Sequence, residues 1–111
     1  MRLPKKMLVD SFVYEEYLGK VGDYQKESYA PPVNVELVRI DRTSVWTTGG
    51  KEDKLLANGV IYTDNRHTTY AKEFVERSKV TYDGKQYLIN KVIPKTHVTT
   101  NKLFGYEIEV V

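Results

Sequence analysis

Two histidines, His67 and His97, are the side chains of this sequence best suited to general acid–base chemistry near neutral pH. Asp64 precedes His67 by three residues, and several serines and threonines could serve as partners. The sequence patterns that place a nucleophile, a phosphate-binding loop or paired catalytic carboxylates are absent. A metal site would require both histidines to converge with carboxylates such as Asp41 or Asp64. We therefore expect two exposed loop histidines, and we predict no catalytic residues, no metal and no cofactor.

A second candidate is a long polar segment around the only tryptophan. The apolar pattern stops between Asp41 and Lys54, and a loop of this length in a small domain is often functional. A flexible loop beside an aromatic anchor suits a segment that reorganises on binding, although a polar tip with its tryptophan packed on the domain rim is equally compatible. The candidate assembly residues of this loop are Trp46, Thr47, Thr48, Gly49, Gly50 and Lys51.

A third candidate is a basic stretch near the carboxyl end. Between Arg77 and Lys102 there are six cationic residues and one anionic residue, although the whole chain carries a net charge of only +2. With Tyr82 and Tyr87, this stretch could bind nucleic acid through phosphate contacts and stacking. Alternatively, its lysines form the wet face of a hairpin whose tyrosines face the core beside Val80. The candidate DNA-facing residues are Lys79, Lys85, Lys91 and Lys95.

The composition of the chain predicts that strands hold these candidate residues. Val, Ile, Thr and Tyr account for 38 of the 111 residues, whereas Ala, Leu and Met account for 13. Branched and aromatic side chains pack well on a pleated sheet and lose rotamer freedom in a helix. No segment shows the periodicity of a convincing amphipathic helix.

Alternating apolar residues and turn residues predict about six strands. Val33 to Ile40 starts with period two and then changes phase, which indicates a bulge or a strand buried on both sides. Asn58-Gly59 could be a hairpin turn or a bend, and we favour one bent strand. The predicted strands are Met7 to Tyr14, Val33 to Ile40, Leu55 to Thr63, both arms of Lys79 to Ile93, and Leu103 to Val111. The segment 15–30 is predicted to be a loop or a ragged hairpin arm, 41–54 and 64–72 are predicted loops, and 73–78 is predicted to carry a short turn or an edge segment.

The clearest local signal is a hairpin from Lys79 to Ile93. Asp83-Gly84 separates two alternating arms, and such a dipeptide suits a two-residue type I′ turn. This turn would place Val80 opposite Tyr87, and Pro94 is expected to end the second arm.

The length of 111 residues fits one domain, residues 1–111. We expect an all-β fold, a small antiparallel β-barrel or compact sandwich of about six strands with one long flexible loop. No apolar run is long enough to span a bilayer, so no membrane contact is expected. The basic start of the chain lacks the apolar core of a signal peptide, and folding in the cytoplasm is expected. The chain contains no cysteine, which excludes disulfides.

The order of four segments resembles the minor capsid proteins encoded in tailed-phage and prophage morphogenesis clusters of Gram-positive hosts. More distantly, it resembles the head-closure (stopper) proteins of long-tailed phages. The similarity extends from about Leu8 to Val111. The four segments are LVRID from Leu37, LANGVIYTD from Leu56, VTYDGKQY from Val80 and GYEIEV from Gly105.

The resemblance implies a structural protein of the virion at the head–tail interface, made in the host cytoplasm before assembly. Such proteins form a ring, commonly with twelvefold symmetry, below the portal and its adaptor. The ring helps to retain packaged DNA and offers a docking surface for the tail. The implied partners are further copies of the chain, portal or adaptor proteins, a tail-completion or tail-terminator protein, and packaged DNA. In stopper relatives a long barrel loop points into the channel, and the matching segment here would be Trp46 to Lys54. The alternative function is a small β-barrel nucleic-acid-binding module that uses the basic hairpin 77–102.

Overall fold

Ten strands and one 3₁₀ turn form the regular structure of the residues that the computed structural model describes, which are 4–21, 26–43, 45–47, 54–70 and 72–111. No α-helix occurs within these ranges, and the all-β prediction is confirmed. The 3₁₀ turn is Lys5–Met7, so the first strand begins at Asp10 and not at Met7 as predicted. The strands are β1 (Asp10–Glu15), β2 (Tyr17–Val21), β3 (Lys26–Tyr29), β4 (Val33–Asp41), β5 (Val45–Thr47), β6 (Lys54–Ala57), β7 (Gly59–Tyr62), β8 (Lys79–Tyr82), β9 (Lys85–Thr96) and β10 (Leu103–Val110).

Six of these strands close into a barrel, which decides between the two predicted architectures. Their order around the barrel is β1-β4-β7-β10-β9-β8, and β8 pairs with β1 to complete the circle. Every pairing is antiparallel. Closure satisfies the backbone groups that would otherwise lie on an open sheet edge.

The change of phase predicted in β4 is a bulge at Leu37. Asp10 pairs with Val38 and Ser11 pairs with Glu36, so Leu37 is the extra residue and takes a φ of 61°. An added residue reverses the inward and outward alternation of a strand. Consequently, Val35 is buried before the bulge, and Val38 and Ile40 are buried after it, where a strand without a bulge would bury residues 37 and 39.

Asn58 bends the chain without reversing it, as favoured from the sequence. The strand before it, β6, pairs with β5, whereas the strand after it, β7, pairs with β4 and β10. The Asn58 N–H donates a hydrogen bond of 2.7 Å to the Val110 carbonyl. The bend therefore directs β7 into the barrel and β6 out of it.

The predicted register of the hairpin is confirmed, but the predicted end of its second arm is wrong. Val80 pairs with Tyr87, and both Asp83 and Gly84 have the positive φ of a type I′ turn. Pro94 does not end β9, which continues to Thr96. The pair Pro94–Tyr106 tolerates the missing N–H because the backbone of Tyr106 bonds to Thr63 instead.

An aromatic cluster centred on Phe74 closes one end of the barrel core. The Phe74 ring lies 5.1 Å from Tyr14, 5.0 Å from Tyr70 and 5.7 Å from Tyr106 between ring centroids. The hydroxyl of Tyr14 accepts a hydrogen bond of 2.9 Å from the N–H of the next residue, Val75. The sequence predicted only a turn or edge for 73–78, because one aromatic residue in a polar segment has no periodicity.

Two two-stranded ribbons lie outside the ring of barrel strands: β2 with β3, and β5 with β6. A third is the far end of β9, Pro94 to Thr96, which pairs with Leu103 to Tyr106 of β10, beyond the part of β10 that pairs with β7. The radius of gyration is 15.1 Å, against about 13 Å for a compact chain of this length. The hairpin alternative for 15–30 agrees with the pairing of β2 and β3, whereas the predicted loop 41–54 begins and ends with paired strands.

An ion cluster around Arg42 fixes the start of the β5–β6 ribbon. The guanidinium contacts Asp83 at 2.5 Å and Asp10 at 3.1 Å, and it lies 5.8 Å from the centre of the Tyr82 ring. Asp10 also accepts the Ile40 N–H at 3.0 Å. The cluster holds the pKa of Asp83 below its usual value through the Arg42 hydrogen bond. The exit of β4 is thereby tied to β1 and to the β8–β9 turn.

Replacing Gly105 with alanine should strongly destabilise the barrel. A Cβ at this position would lie 2.0 Å from the Thr63 carbonyl oxygen, and two backbone segments would have to separate. We expect a loss of about 3 kcal/mol or more, at the upper end for overpacking. Urea unfolding measures this loss. The matched control is Gly84→Asn, which meets no atom within 4 Å and carries only the cost of its left-handed φ, so its loss of stability should be clearly smaller than that of Gly105→Ala. Equal stability of Gly105→Ala and the wild type would contradict the close approach.

The fold should lose stability between about pH 10 and pH 12. Burial, followed by the neighbouring Tyr87, raises the pKa of Tyr82 to about 12, and the two rings stack at 4.6 Å. A raised phenol pKa contributes stability that is complete below the unfolded value near 10 and lost as the pH rises towards 12. Two pKa units set an upper bound of about 3 kcal/mol on its contribution. Thermal unfolding followed at several alkaline pH values should show a shallower loss for Tyr82→Phe than for the wild type, and parallel curves would refute the linkage.

Candidate functional site

The Trp46 segment is only partly a loop. Trp46 and Thr47 belong to β5, where they pair with Leu55 and Lys54 of β6. The other four predicted assembly residues, Thr48, Gly49, Gly50 and Lys51, lie outside the described residues. The structure therefore places the root of this candidate on the ribbon that the Arg42 cluster and the Asn58 bend direct away from the barrel.

The four lysines predicted to face DNA have different surroundings. Lys79 lies 4.2 Å from the centre of the Tyr29 ring, in a cation–π contact. Lys95 forms an ion pair of 2.6 Å with Glu107. Lys91 is exposed and stands opposite Glu109 in the β9–β10 register. Lys85 is exposed beside the type I′ turn.

Carboxylates of β10 thus lie next to half of the predicted basic surface. Glu107 and Glu109 are distant in sequence from the basic stretch, but antiparallel pairing sets them beside Lys95 and Lys91. Cross-strand charge pairs of this kind stabilise a sheet and reduce its attraction for phosphate. The surface formed by 77–102 is consequently less positive than the charges of this stretch alone suggest.

The two histidines were expected to be exposed, but both are half-buried. The buried Asp64 carboxylate accepts hydrogen bonds from the Arg66 N–H at 2.9 Å and from its guanidinium at 3.3 Å. The His67 backbone N–H donates to the Asp64 carbonyl at 3.0 Å. The Thr68 hydroxyl accepts a hydrogen bond from the Asp64 N–H and donates one to the Leu37 carbonyl. Asp64 therefore takes part in ordering this loop. Within the described ranges, no three of His, Cys, Asp and Glu cluster as a metal would need.

The turn between β9 and β10 carries a surface feature that the sequence did not reveal. His97 N–H donates to the Lys102 carbonyl at 3.0 Å, and Asn101 N–H donates to the His97 carbonyl at 2.9 Å. The His97 ring packs 5.0 Å from the Phe104 ring. This ordered turn presents Val98, whose exposure of 101% is complete. A valine between polar residues gives no signal in one sequence, because its exposure depends on the length of the ribbon.

An apolar cleft lies near the end of β1, and we call it the Pro31 cleft. Its volume is about 290 Å³. Its lining residues are Tyr14, Glu16, Ala30, Pro31, Val33, Tyr70 and Lys72. Apolar groups form most of its wall, with one acidic and one basic residue among them. A second cleft of about 220 Å³ lies beside the Lys95–Glu107 ion pair, at the base of the β9–β10 ribbon.

The part of the chain that the structure describes has no helix long and apolar enough to cross a membrane.

Comparison with known proteins identifies the chain. No curated protein and no solved structure matches it. A family model described as "Minor capsid protein" matches residues 4–110, which includes the whole barrel and all three ribbons. Because this match covers nearly the full length, the predicted family is confirmed: the chain belongs to the minor capsid protein family and is a structural protein of the phage virion.

Proposed function

We propose that this minor capsid protein acts in the head–tail connector, where copies assemble into a ring beneath the portal and its adaptor. The observation that carries the proposal is a closed barrel accompanied by two-stranded ribbons that lie outside its ring of strands. A closed barrel offers no open edge for strand addition, so its contacts with other proteins must come from its ribbons and side chains. Several ribbons that point away from one barrel suit contacts with neighbours on more than one side.

The β5–β6 ribbon is the segment we assign to the channel. Its root is fixed on one side by Arg42 and on the other by the Asn58–Val110 hydrogen bond. β5 carries Trp46 and Thr47, the first two of the candidate assembly residues Trp46 to Lys51. These residues are proposed to approach the channel, help to retain packaged DNA and order on assembly.

Two lysines are the best candidates for contact with packaged DNA. Lys85 and Lys91 are exposed, whereas Lys79 contacts Tyr29 and Lys95 forms an ion pair with Glu107. Lys91 is the weaker of the two candidates, because it stands opposite Glu109. We assign no separate nucleic-acid-binding function, since cross-strand carboxylates accompany the basic stretch. The remaining surface of the ring is proposed to dock a tail-completion or tail-terminator protein.

Fractionated particles from a producing host test the connector assignment. The protein should occur in DNA-filled, tailed particles at the copy number of one ring, and deletion of its gene should give heads that lack tails and lose DNA. Restoring the gene on a plasmid is the control. Hundreds of copies per head, or tailed infectious particles without the protein, would refute a connector role.

DNA retention should also depend on charge. We expect the double variant Lys85→Gln, Lys91→Gln to attach tails normally and to release DNA at lower salt than the wild type, since phosphate contacts weaken with ionic strength. Nuclease-accessible DNA in purified particles at increasing salt measures the release. The double variant Lys85→Arg, Lys91→Arg keeps both charges and is the matched control. Identical curves for the lysine variant and the wild type would remove these residues from the DNA-facing surface.

A further inference from the structure

The outer side of β9 is a strand edge from Lys91 onwards. β8 pairs with Lys85 to Leu88, and Ile89 is hydrogen-bonded to the residues just before β8. Beyond Ile89, β10 is the only described strand that pairs with β9. In an antiparallel ladder, the main-chain groups of successive residues point alternately towards the partner strand and away from it. Every second residue of this part of β9 therefore turns its N–H and C=O groups away from β10.

The hydrogen bonds of Tyr106 identify the residues of β9 that face outward. The Tyr106 N–H donates to the Thr63 hydroxyl at 2.9 Å, and the Tyr106 carbonyl accepts the Thr63 N–H at 2.9 Å. Both main-chain groups of Tyr106 thus point away from β9, although Tyr106 is the register partner of Pro94. Pro94 consequently turns its nitrogen and its carbonyl away from β10. Val92, two residues earlier on the same strand, faces the same way.

Proline at this place removes a donor from an edge that is otherwise suited to pairing. Val92 and Ile93 are β-branched residues, which favour strands. The lysines of this stretch are accompanied by carboxylates of β10, so charge alone does not keep two identical edges apart. Pro94 has no N–H, and an N–H in its place would face the open edge. Natural sheets use proline on an exposed edge to block pairing with another chain.

We propose that Pro94 keeps the outer edge of β9 closed to strand addition by a second copy of the chain. A second copy is the partner to be excluded, because it carries the same edge and two such strands can pair antiparallel about a two-fold axis. Such a contact would join copies in twos, whereas a ring needs head-to-tail contacts. The inference goes beyond the connector assignment and does not depend on it, since it concerns the free chain.

Hydrogen exchange of the wild-type chain tests the geometry without any substitution. After correction for intrinsic rates, the Val92 N–H should exchange at least roughly tenfold faster than the Ile93 N–H, because an unpaired amide exchanges without local opening. Ile93 is the matched reference, since it is the register partner of Glu107 in β10. Equal protection of the two amides, followed by NMR, would show that the edge is already covered and would overturn the proposal.

Restoring the donor should open the edge. Pro94→Thr should strengthen self-association by roughly tenfold or more, about 1.4 kcal/mol, as measured by sedimentation equilibrium. The Val92 amide of this variant should also become protected as the protein concentration rises, which assigns the new contact to this edge. The matched control is Thr96→Val, which adds an apolar branched side chain to the same strand without adding a donor, and it should associate like the wild type.

Two results would contradict the role of Pro94. One is a folded Pro94→Thr variant that associates no more strongly than the wild type. The other is equal association of Thr96→Val and Pro94→Thr, which would indicate apolar adhesion instead of strand pairing. Thermal unfolding checks that both variants are folded. If Pro94→Thr does not fold, the wild-type exchange of Val92 and Ile93 still decides whether the edge is open.

Discussion

Closure of the barrel is the constraint on which the other features depend. The pairing of β8 with β1 completes a ring of six antiparallel strands and leaves the barrel without an open edge. Closing so few strands requires strong local bending, which bulges and bends supply. The bulge at Leu37 bends β4, and Asn58 bends the chain where it enters β7. Gly105 allows β10 to pass directly against the Thr63 carbonyl.

In the proposed connector, the closed barrel leaves the contacts with neighbours to the ribbons. Each ribbon is tied to the barrel at its base: Arg42 holds β5–β6, Lys79 packs on Tyr29 of β3, and the Lys95–Glu107 pair braces β9–β10. Polar ties of this kind sit on the surface and contribute little to global stability. Their effect is on direction, because they determine where an otherwise separate two-stranded ribbon points. Direction is what a structural protein of a virion needs in order to meet its neighbours.

The charges illustrate how the fold changes the meaning of a sequence pattern. The stretch 77–102 is basic along the chain, yet two of its lysines lie beside Glu107 and Glu109 once β9 and β10 pair. Likewise, Asp64 is three residues from His67 but gives its carboxylate to Arg66. In both cases strand register or turn geometry determines the ionic partner of the side chain. The spacing of residues along the sequence does not predict it.

Local patterns in the sequence determined the β class, the type I′ turn at Asp83-Gly84, the bulge in β4, the bend at Asn58 and, through the order of its segments, the protein family. These features depend on neighbouring residues, whose steric preferences act over a few positions. Tertiary structure alone decided the barrel instead of a sandwich, the continuation of β9 through Pro94 and the place of Phe74 in the core. It also decided the exposure of Val98. Each of these depends on contacts between segments far apart in the chain, because burial and pairing belong to the packed molecule and not to any one stretch of it.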